Sequence, residues 1–337
     1  MRKIFNLIAS LVLIAGFSAC SKDDSGNQQV PKNPVPSADY KGLAFISSGE
    51  STVRLAQVGT PYEISLEYST DESHWKPYTI GETITLADST FLLFRSGEHK
   101  NRKFSKDTEN YYHFEISGPV TAQGNIMSLL DRDFSTPLST NAFFFFFEGC
   151  KSLLSAPELP ATTMAQGCYF RMFAGCTGLT SAPELPAEAL AYNCYGRMFK
   201  GCSALTYVPD LPATKMEAYC YNSMFANCTS LKFAPELPAT RLDTGCYHCM
   251  FEGCTSLTSA PELPATELVS NCYEFMYKDC RNLRYVIGLF TTEPSKKTTE
   301  DWLSGVAASG TFIKSEKATW DVTGAHGVPE GWKIETW

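Results

Sequence analysis

The chain has 337 residues, of which 36 are acidic and 28 are Lys or Arg, giving a formal net charge of −8 at pH 7. This balance argues against DNA or RNA binding, which needs a basic surface to neutralise phosphates. With 23 Gly and 19 Pro, the composition is neither collagen-like nor broadly disordered. The length predicts about two folded domains.

The first 20 residues have the layout of an export signal. A basic start at residues 1–3 precedes the apolar run of residues 4–17, and Ser18 and Ala19 follow. A cysteine directly after small residues resembles a bacterial lipobox, which implies that Cys20 is lipidated and becomes the mature N-terminus. The residue before Ser18 is not the usual leucine, so ordinary signal-peptide cleavage is the alternative.

Residues 21–39 are expected to form a flexible tether. They contain Pro31, Pro34 and Pro36 and few large apolar side chains, so they cannot bury enough surface to fold. Residues 21–24 resemble the acidic export tag of Bacteroidetes lipoproteins, which implies an outward-facing position on the outer membrane. An ordinary solvated linker is the alternative.

Residues 40–121 predict a small β-sandwich. Residues 63–68 alternate apolar and polar side chains, the period of a half-buried strand, and a polar turn follows. Further short runs recur about every 8–12 residues, which is typical of a sandwich. Trp75 and Tyr78 are candidates to stack on a sugar, and packing in the core or at its rim is the alternative.

A repeat with a step of 26 residues dominates residues 122–290. One series of cysteines comprises Cys150, Cys176, Cys202, Cys228, Cys254 and Cys280. A second series, each followed by tyrosine, comprises Cys168, Cys194, Cys220, Cys246 and Cys272. A unit of this size cannot bury its own core, but stacked units bury a continuous one, so the repeat predicts a solenoid.

Each unit is expected to contain two different arms. Residues 179–185 predict a very short strand that ends at Pro186, because proline cannot donate a ladder hydrogen bond. Residues 194–199 place apolar side chains at i, i+1, i+4 and i+5, which predicts about one inward-facing helical turn ended by Gly201. The predicted fold class is therefore α+β: a sandwich, a solenoid of short strands and helical turns, and a C-terminal cap over residues 291–337.

The repeat resembles the BspA-like leucine-rich repeats of Bacteroidetes surface proteins. Over about residues 124–290 it reads Met-Phe-x-Gly-Cys-x-x-Leu-x-x-Ala-Pro-Glu-Leu-Pro-Ala, with Cys-Tyr upstream. Residues 64–71 are similar to the immunoglobulin-like module often placed before such repeats, and residues 310–314 with 327–332 resemble their C-terminal segment. The resemblance implies a lipid-anchored or secreted adhesin or binding scaffold without catalytic residues.

Two repeat slots beside the predicted strand form the candidate ligand face. The acidic slot holds Glu158, Glu184, Asp210, Glu236 and Glu262. The neighbouring slot holds aromatic residues in three units: Tyr207, Phe233 and Tyr285. Exposed aromatic side chains beside charges suit a binding hot spot. A merely solvated acidic face and an inward-pointing aromatic slot are the alternatives.

We expect the repeat cysteines to be buried apolar filler and not disulfides, because equivalent neighbours cannot be paired uniquely. Cys246, His248, Cys249 and Cys254 superficially resemble a metal site, but two of them are ordinary repeat positions. No catalytic motif is found and the five histidines lie far apart in sequence. We therefore expect no metal, no cofactor and no enzymatic activity.

The expected function is that of a non-catalytic, lipid-anchored protein of the outer membrane, facing outward, whose solenoid binds a protein from a host or another bacterium. The membrane is expected to be contacted only through the lipid. Two alternatives stay open: capture of glycans for an uptake system, and a purely structural surface component.

Overall fold

The computed structural model describes residues 35–337. They consist mainly of strands and turns, with two short helices. Cys20, the predicted signal and most of the predicted tether lie outside these residues. The strands are β1 Leu43–Ser47, β2 Ser51–Val58, β3 Leu66–Ser69, β4 Lys76–Pro77, β5 Thr83–Leu86, β6 Phe91–Ser96, β7 Tyr111–Ser117, β8 Val120–Gln123, β9 Leu153–Ser155, β10 Ser259–Leu263, β11 Tyr285–Gly288, β12 Thr311–Lys314 and β13 Lys333–Thr336. The helices are a 3-10 helix, Ile126–Leu129, and the one-turn α1, Lys296–Thr299.

Two sheets form the N-terminal part. One has the order β4-β3-β6-β1-β8-β9, and the other has the order β5-β2-β7. Their inner faces meet through aromatic rings: the centroid of Phe114 on β7 lies 5.0 Å from that of Phe45 and 5.5 Å from that of Phe94. These edge-on contacts bury large side chains from both sheets in one core.

The larger sheet leads directly into the solenoid. Strand β8 pairs in parallel with β9, the first strand of the solenoid. In the core, Phe114 stacks on Phe147 with centroids 5.3 Å apart, and Phe147 stacks on Phe173 at 5.4 Å. Residues 143–147, a run of five phenylalanines, are all buried. The sheets and the solenoid therefore share one continuous hydrophobic core.

Two ladders of aromatic rings fill the solenoid. In the phenylalanine ladder, Phe199 stacks on Phe173 at 5.5 Å and on Phe225 at 5.7 Å, with the ring planes within 3° of parallel. In the tyrosine ladder, Tyr195 stacks on Tyr169 at 6.0 Å and on Tyr221 at 5.8 Å. Rings at the same position of successive coils thus lie directly over one another.

The predicted helical turns are wrong. The arm that contains residues 194–199 is a run of overlapping β-turns, in which Gly196 N–H donates to Asn193 O at 3.2 Å and Met198 N–H donates to Tyr195 O at 3.1 Å. Every fourth residue has a positive φ: Asn193 at 52°, Arg197 at 57° and Gly201 at 77°. A helix requires continuous negative φ and bonds to the fourth residue back, so it cannot form here.

The remaining N–H groups of this arm bind the next coil. Tyr195 N–H donates to Cys220 O at 3.1 Å, and Phe199 N–H donates to Met224 O at 2.9 Å. Alternate residues therefore serve the turn and the neighbouring coil. The apolar spacing i, i+1, i+4, i+5 fits this four-residue turn period as well as it fits a helix, which explains the error.

On the opposite side the strands are short, as predicted. Between β9 and β10, pairing is reduced to isolated parallel bridges, such as Ser181 with Tyr207 and Phe233 with Ser259. The strands are short because prolines such as Pro183 and Pro186 recur in these segments and have no backbone N–H to donate to a β-ladder.

The C-terminal residues continue the solenoid and close it. Strands β10, β11, β12 and β13 form a four-stranded parallel sheet in that order. The interior at this end is filled by Trp302, Trp332 and Trp320, all buried, and Trp320 stacks on Phe290 at 5.2 Å. Within residues 35–337, no helix has the length and apolar content needed to span a membrane.

Replacing Phe199 with alanine tests the ladder. The side chain is fully buried between two parallel rings, so we expect the free energy of unfolding to fall by about 3–5 kcal/mol. Urea unfolding followed by circular dichroism measures it. Phe233→Ala is the matched control: its ring is 69% exposed, and the change should stay below about 0.5 kcal/mol. Equal losses would contradict the stacked core.

Candidate functional site

The aromatic slot faces outward on the strand side of the solenoid. Tyr207 is 57% exposed, Phe233 is 69% exposed and Tyr285 is 40% exposed. Parallel pairing places Phe233 and Tyr285 in one column, because Ser259 pairs with both, and the 26-residue step assigns Tyr207 to the same repeat position. Three of the seven exposed large apolar side chains in the described part of the chain therefore share one repeat position.

Backbone pairing on this face is interrupted between the coils of Tyr207 and Phe233. Tyr207 N–H reaches back to Thr180 O at a long 3.4 Å, and Phe233 pairs forward with Ser259. Among the described residues, no bridge joins Tyr207 to Phe233. The two rings are held by separate neighbours and make no stacking contact with each other.

The acidic slot also faces solvent. Glu158, Glu184, Asp210 and Glu236 are exposed, and Glu262 is half-buried. None of the five carboxylates takes part in an ion pair with any described residue. The one contact along the column is long: Glu236 N–H lies 3.5 Å from Asp210 Oδ1. The column is therefore a strip of uncompensated negative charge beside the exposed rings.

Two exposed cations adjoin the column in sequence. Lys232 and Arg284 immediately precede Phe233 and Tyr285, and both are exposed without an ion-pair partner among residues 35–337. Along the chain, a cation comes just before two of the rings, and a carboxylate follows two of them three residues later. Such a mixed surface can bury aromatic area while pairing charges at its rim, which is the usual anatomy of a protein interface.

The aromatic candidates of the N-terminal sheets are less available. The guanidinium carbon of Arg95 lies 3.7 Å from the centroid of the Trp75 ring, so one face of that ring is covered. Tyr78 is buried; its hydroxyl donates to Glu82 O at 2.5 Å and accepts from Leu55 N–H at 2.9 Å. Tyr78 is a core residue, as the alternative interpretation held.

All twelve cysteines of the described part are free and buried, as predicted. The structure adds a feature that the sequence interpretation missed: five of these thiols donate hydrogen bonds to phenylalanine carbonyls of the preceding coil, and Cys150 donates to Phe114 O on β7. Cys176 Sγ lies 3.0 Å from Phe147 O, and Cys202 Sγ lies 3.1 Å from Phe173 O. The constant Phe-x-x-Cys spacing was the available signal.

The metal-like motif separates into two parts. Cys246 and Cys254 occupy ordinary buried repeat positions, and the Cys254 thiol donates to Phe225 O. His248 lies on the outer side, with Nδ1 2.7 Å from Asn222 Nδ2 and Nε2 3.9 Å from Cys249 Sγ. Within residues 35–337 no group of three or more His, Cys, Asp or Glu side chains is arranged to hold a metal ion.

The comparisons with known proteins add no relative. No protein-family model matches the chain, and no curated protein and no solved structure matches it either.

Burial controls the acidity of the thiols. Loss of solvation raises the pKa of Cys150, Cys202 and Cys254 to about 12. The same cause raises the pKa of Cys176 and Cys228 well above the ordinary value. Because the thiolate is the reactive form, these groups are poor nucleophiles in the folded chain.

We expect the free energy of unfolding to fall as the pH rises above about 8.5. A thiol whose pKa is higher in the folded chain keeps its proton there and releases it on unfolding. Its contribution to the free energy of unfolding is complete below the pKa of the thiol in the unfolded chain. This contribution is lost as the pH rises towards about 12, the pKa of Cys202 in the folded chain. Between these two pKa values, each such thiol lowers the free energy of unfolding by about 1.4 kcal/mol per pH unit.

Urea unfolding at a series of pH values between neutral and moderately alkaline measures this slope. Cys202→Ala is the matched variant: it removes one titrating group, so its slope should be shallower by about 1.4 kcal/mol per pH unit. The variant's lower starting stability does not affect the comparison, which concerns the slope alone. An unchanged slope would show that Cys202 ionises equally in both states.

Proposed function

We propose that the protein is a non-catalytic cell-surface lipoprotein whose solenoid, a BspA-like leucine-rich repeat of 26-residue units, binds a protein ligand. An immunoglobulin-like module formed by the N-terminal sheets would space the solenoid from the membrane. The proposal places the binding face on the strand side, at Tyr207, Phe233 and Tyr285 and the acidic column beside them.

One observation carries the proposal: three large, exposed aromatic side chains share one repeat position. Single exposed apolar residues are normal on any surface, but a column of them beside charges is typical of a binding surface. The stacked turns behind the column are rigidly hydrogen-bonded, so the rings are presented on a stable support. Little ordering of the backbone would then be required when a ligand binds.

A protein ligand is favoured over a glycan by the state of Trp75. Arg95 covers one face of its ring, and Trp75 is only half-exposed, so the N-terminal sheets offer no open aromatic platform there. Four exposed, unpaired carboxylates would also attract basic segments of a partner protein.

Tyr207→Ala/Phe233→Ala tests the face. Loss of two central aromatic contacts should weaken binding at least about tenfold, mainly through faster dissociation. The measurement is surface plasmon resonance against a panel of purified host extracellular proteins and bacterial surface proteins. The matched control is Phe134→Ala/Tyr192→Ala, which removes the same two residue types from exposed positions outside the column.

The control variant should bind as the wild type does. Equal weakening by both variants, or no weakening by either, would remove the aromatic column from the site. Binding to a glycan array alone would favour glycan capture. Self-association of the purified chain with no other binding would favour a structural component.

Cys20 is the proposed lipid attachment site, and its substitution gives a separate prediction. In a Bacteroidetes host, the wild type should incorporate labelled fatty acid and fractionate with the outer membrane, because acyl chains anchor strongly. Cys20→Ala should do neither. Protease treatment of intact cells should degrade the wild type if it faces outward. Labelled fatty acid on the Cys20→Ala variant would contradict this attachment site.

A further inference from the structure

A short segment of the N-terminal sheets concentrates positive charge in an acidic chain. Five of the 28 Lys and Arg residues lie within residues 95–106, although the net charge is −8. Two of the five are neutralised: Arg95 pairs with Glu67 at 2.8 Å, and Lys100 pairs with Asp131. The other three, Arg102, Lys103 and Lys106, make no ion pair in the structure of residues 35–337.

This segment forms one wall of a cleft, which we call the basic cleft. Residues 62–65 form the opposite wall, residues 99–103 form the basic wall, and the cavity between them measures about 510 Å³. That volume suits a small molecule or the head group of a larger one. Its lining contains one carboxylate, Glu63, which is exposed, against Lys100, Arg102 and Lys103.

The two walls are held together by Asn101. This buried side chain accepts from Ser65 N–H and donates to Ser65 O, both at 2.8 Å, and it also donates to Leu129 O at 2.7 Å. The oxygen and the nitrogen of the Asn101 side-chain amide thus both bond to backbone groups. The basic wall is therefore fixed in place before any ligand arrives, which lowers the cost of binding.

No carboxylate on the cleft's own segment neutralises its cations. Glu98, on the same segment, is exposed and makes no ion pair among residues 35–337, and Asp107 directs its Oδ1 to the N–H groups of Glu109 and Asn110, each at 2.9 Å. Lys106 lies over the ring of Tyr62, with Nζ 4.5 Å from the centroid, and so stays beside the cleft. The positive charge of Arg102 and Lys103 is left for a ligand.

We propose that the basic cleft binds a phosphate- or sulfate-bearing anion through Arg102 and Lys103, with His99 at its rim. A guanidinium presents paired donors that match the oxygens of such groups, and an ammonium adds a point charge. The anion has two possible sources: a lipid head group of the membrane, or a soluble saccharide that carries phosphate or sulfate.

The basic cleft lies apart from the aromatic column. Its walls, residues 62–65 and 99–103, flank strands β3 and β6 of the N-terminal sheets, whereas Tyr207, Phe233 and Tyr285 lie on the solenoid. The anion site therefore goes beyond the proposed function and uses none of the residues of the aromatic column.

The test compares two charge-reversal variants with equal net charge. Arg102→Glu/Lys103→Glu changes the cleft, and Lys151→Glu/Lys200→Glu changes two exposed lysines of the solenoid that make no ion pair within residues 35–337. The probes are vesicles of phosphatidylcholine with or without phosphatidylglycerol, and a sulfated disaccharide in solution. Vesicle sedimentation and calorimetry give the affinities, at low and at physiological salt.

We expect the cleft variant to bind at least about tenfold more weakly and the solenoid variant to bind as the wild type does. Binding to the phosphatidylglycerol vesicles alone identifies a head group, and binding to the disaccharide alone identifies a soluble ligand. Equal loss in both variants, or no binding to either probe, overturns the proposal. Arg102→Gln/Lys103→Gln repeats the test without introducing repulsion, and Tyr207→Ala/Phe233→Ala should leave anion binding intact.

Discussion

Each coil of the solenoid gives about half of the backbone N–H groups of its turn arm to the next coil. Arg197 N–H, for example, donates to Asn222 O at 2.7 Å, whereas the residues on either side of it close turns within their own coil. A coil on its own would leave these donors without a partner, and their burial would then be costly. Register between coils is therefore a condition of folding, and it forces equivalent side chains into columns.

The columns explain which residues can occupy the interior. A ring stacks on its own kind at about 5.5–6.0 Å, and a thiol is small enough to lie beside it while it donates to a carbonyl. The carbonyl of Phe173, for example, accepts two hydrogen bonds, one from the N–H of Cys176 and one from the thiol of Cys202. Substitution by a larger side chain would disturb two coils at once.

The repeat made the solenoid, its buried cysteines and its short strands predictable, because a fixed step places like residues in like environments. The helical turns were not predictable, since residues 194–199 satisfy a helix and a four-residue turn ribbon equally well. The direction of the aromatic slot was also undecidable, because serine, tyrosine and phenylalanine alternate there, and only the structure, in which Tyr207 is 57% exposed, shows that this slot points outward.

The basic cleft lay beyond sequence reasoning for a different reason. Its walls are separated by more than thirty residues in sequence and meet only after β3 has paired with β6 and Asn101 has bonded to Ser65, and the charge of the segment is hidden in a chain that is acidic as a whole. Net charge describes the average surface, whereas binding depends on which charges are left without partners after the chain has folded.

The free thiols have a further consequence for the assembly of this protein and for the reversibility of its unfolding. No described cysteine is cross-linked, so assembly of the solenoid needs no oxidant and can be completed in surroundings without oxygen. Once the coils separate, however, a dozen sulfhydryl groups become open to air. Random bridges between them would trap the opened chain, so that loss of structure in an aerobic setting becomes a one-way event governed by the rate of opening.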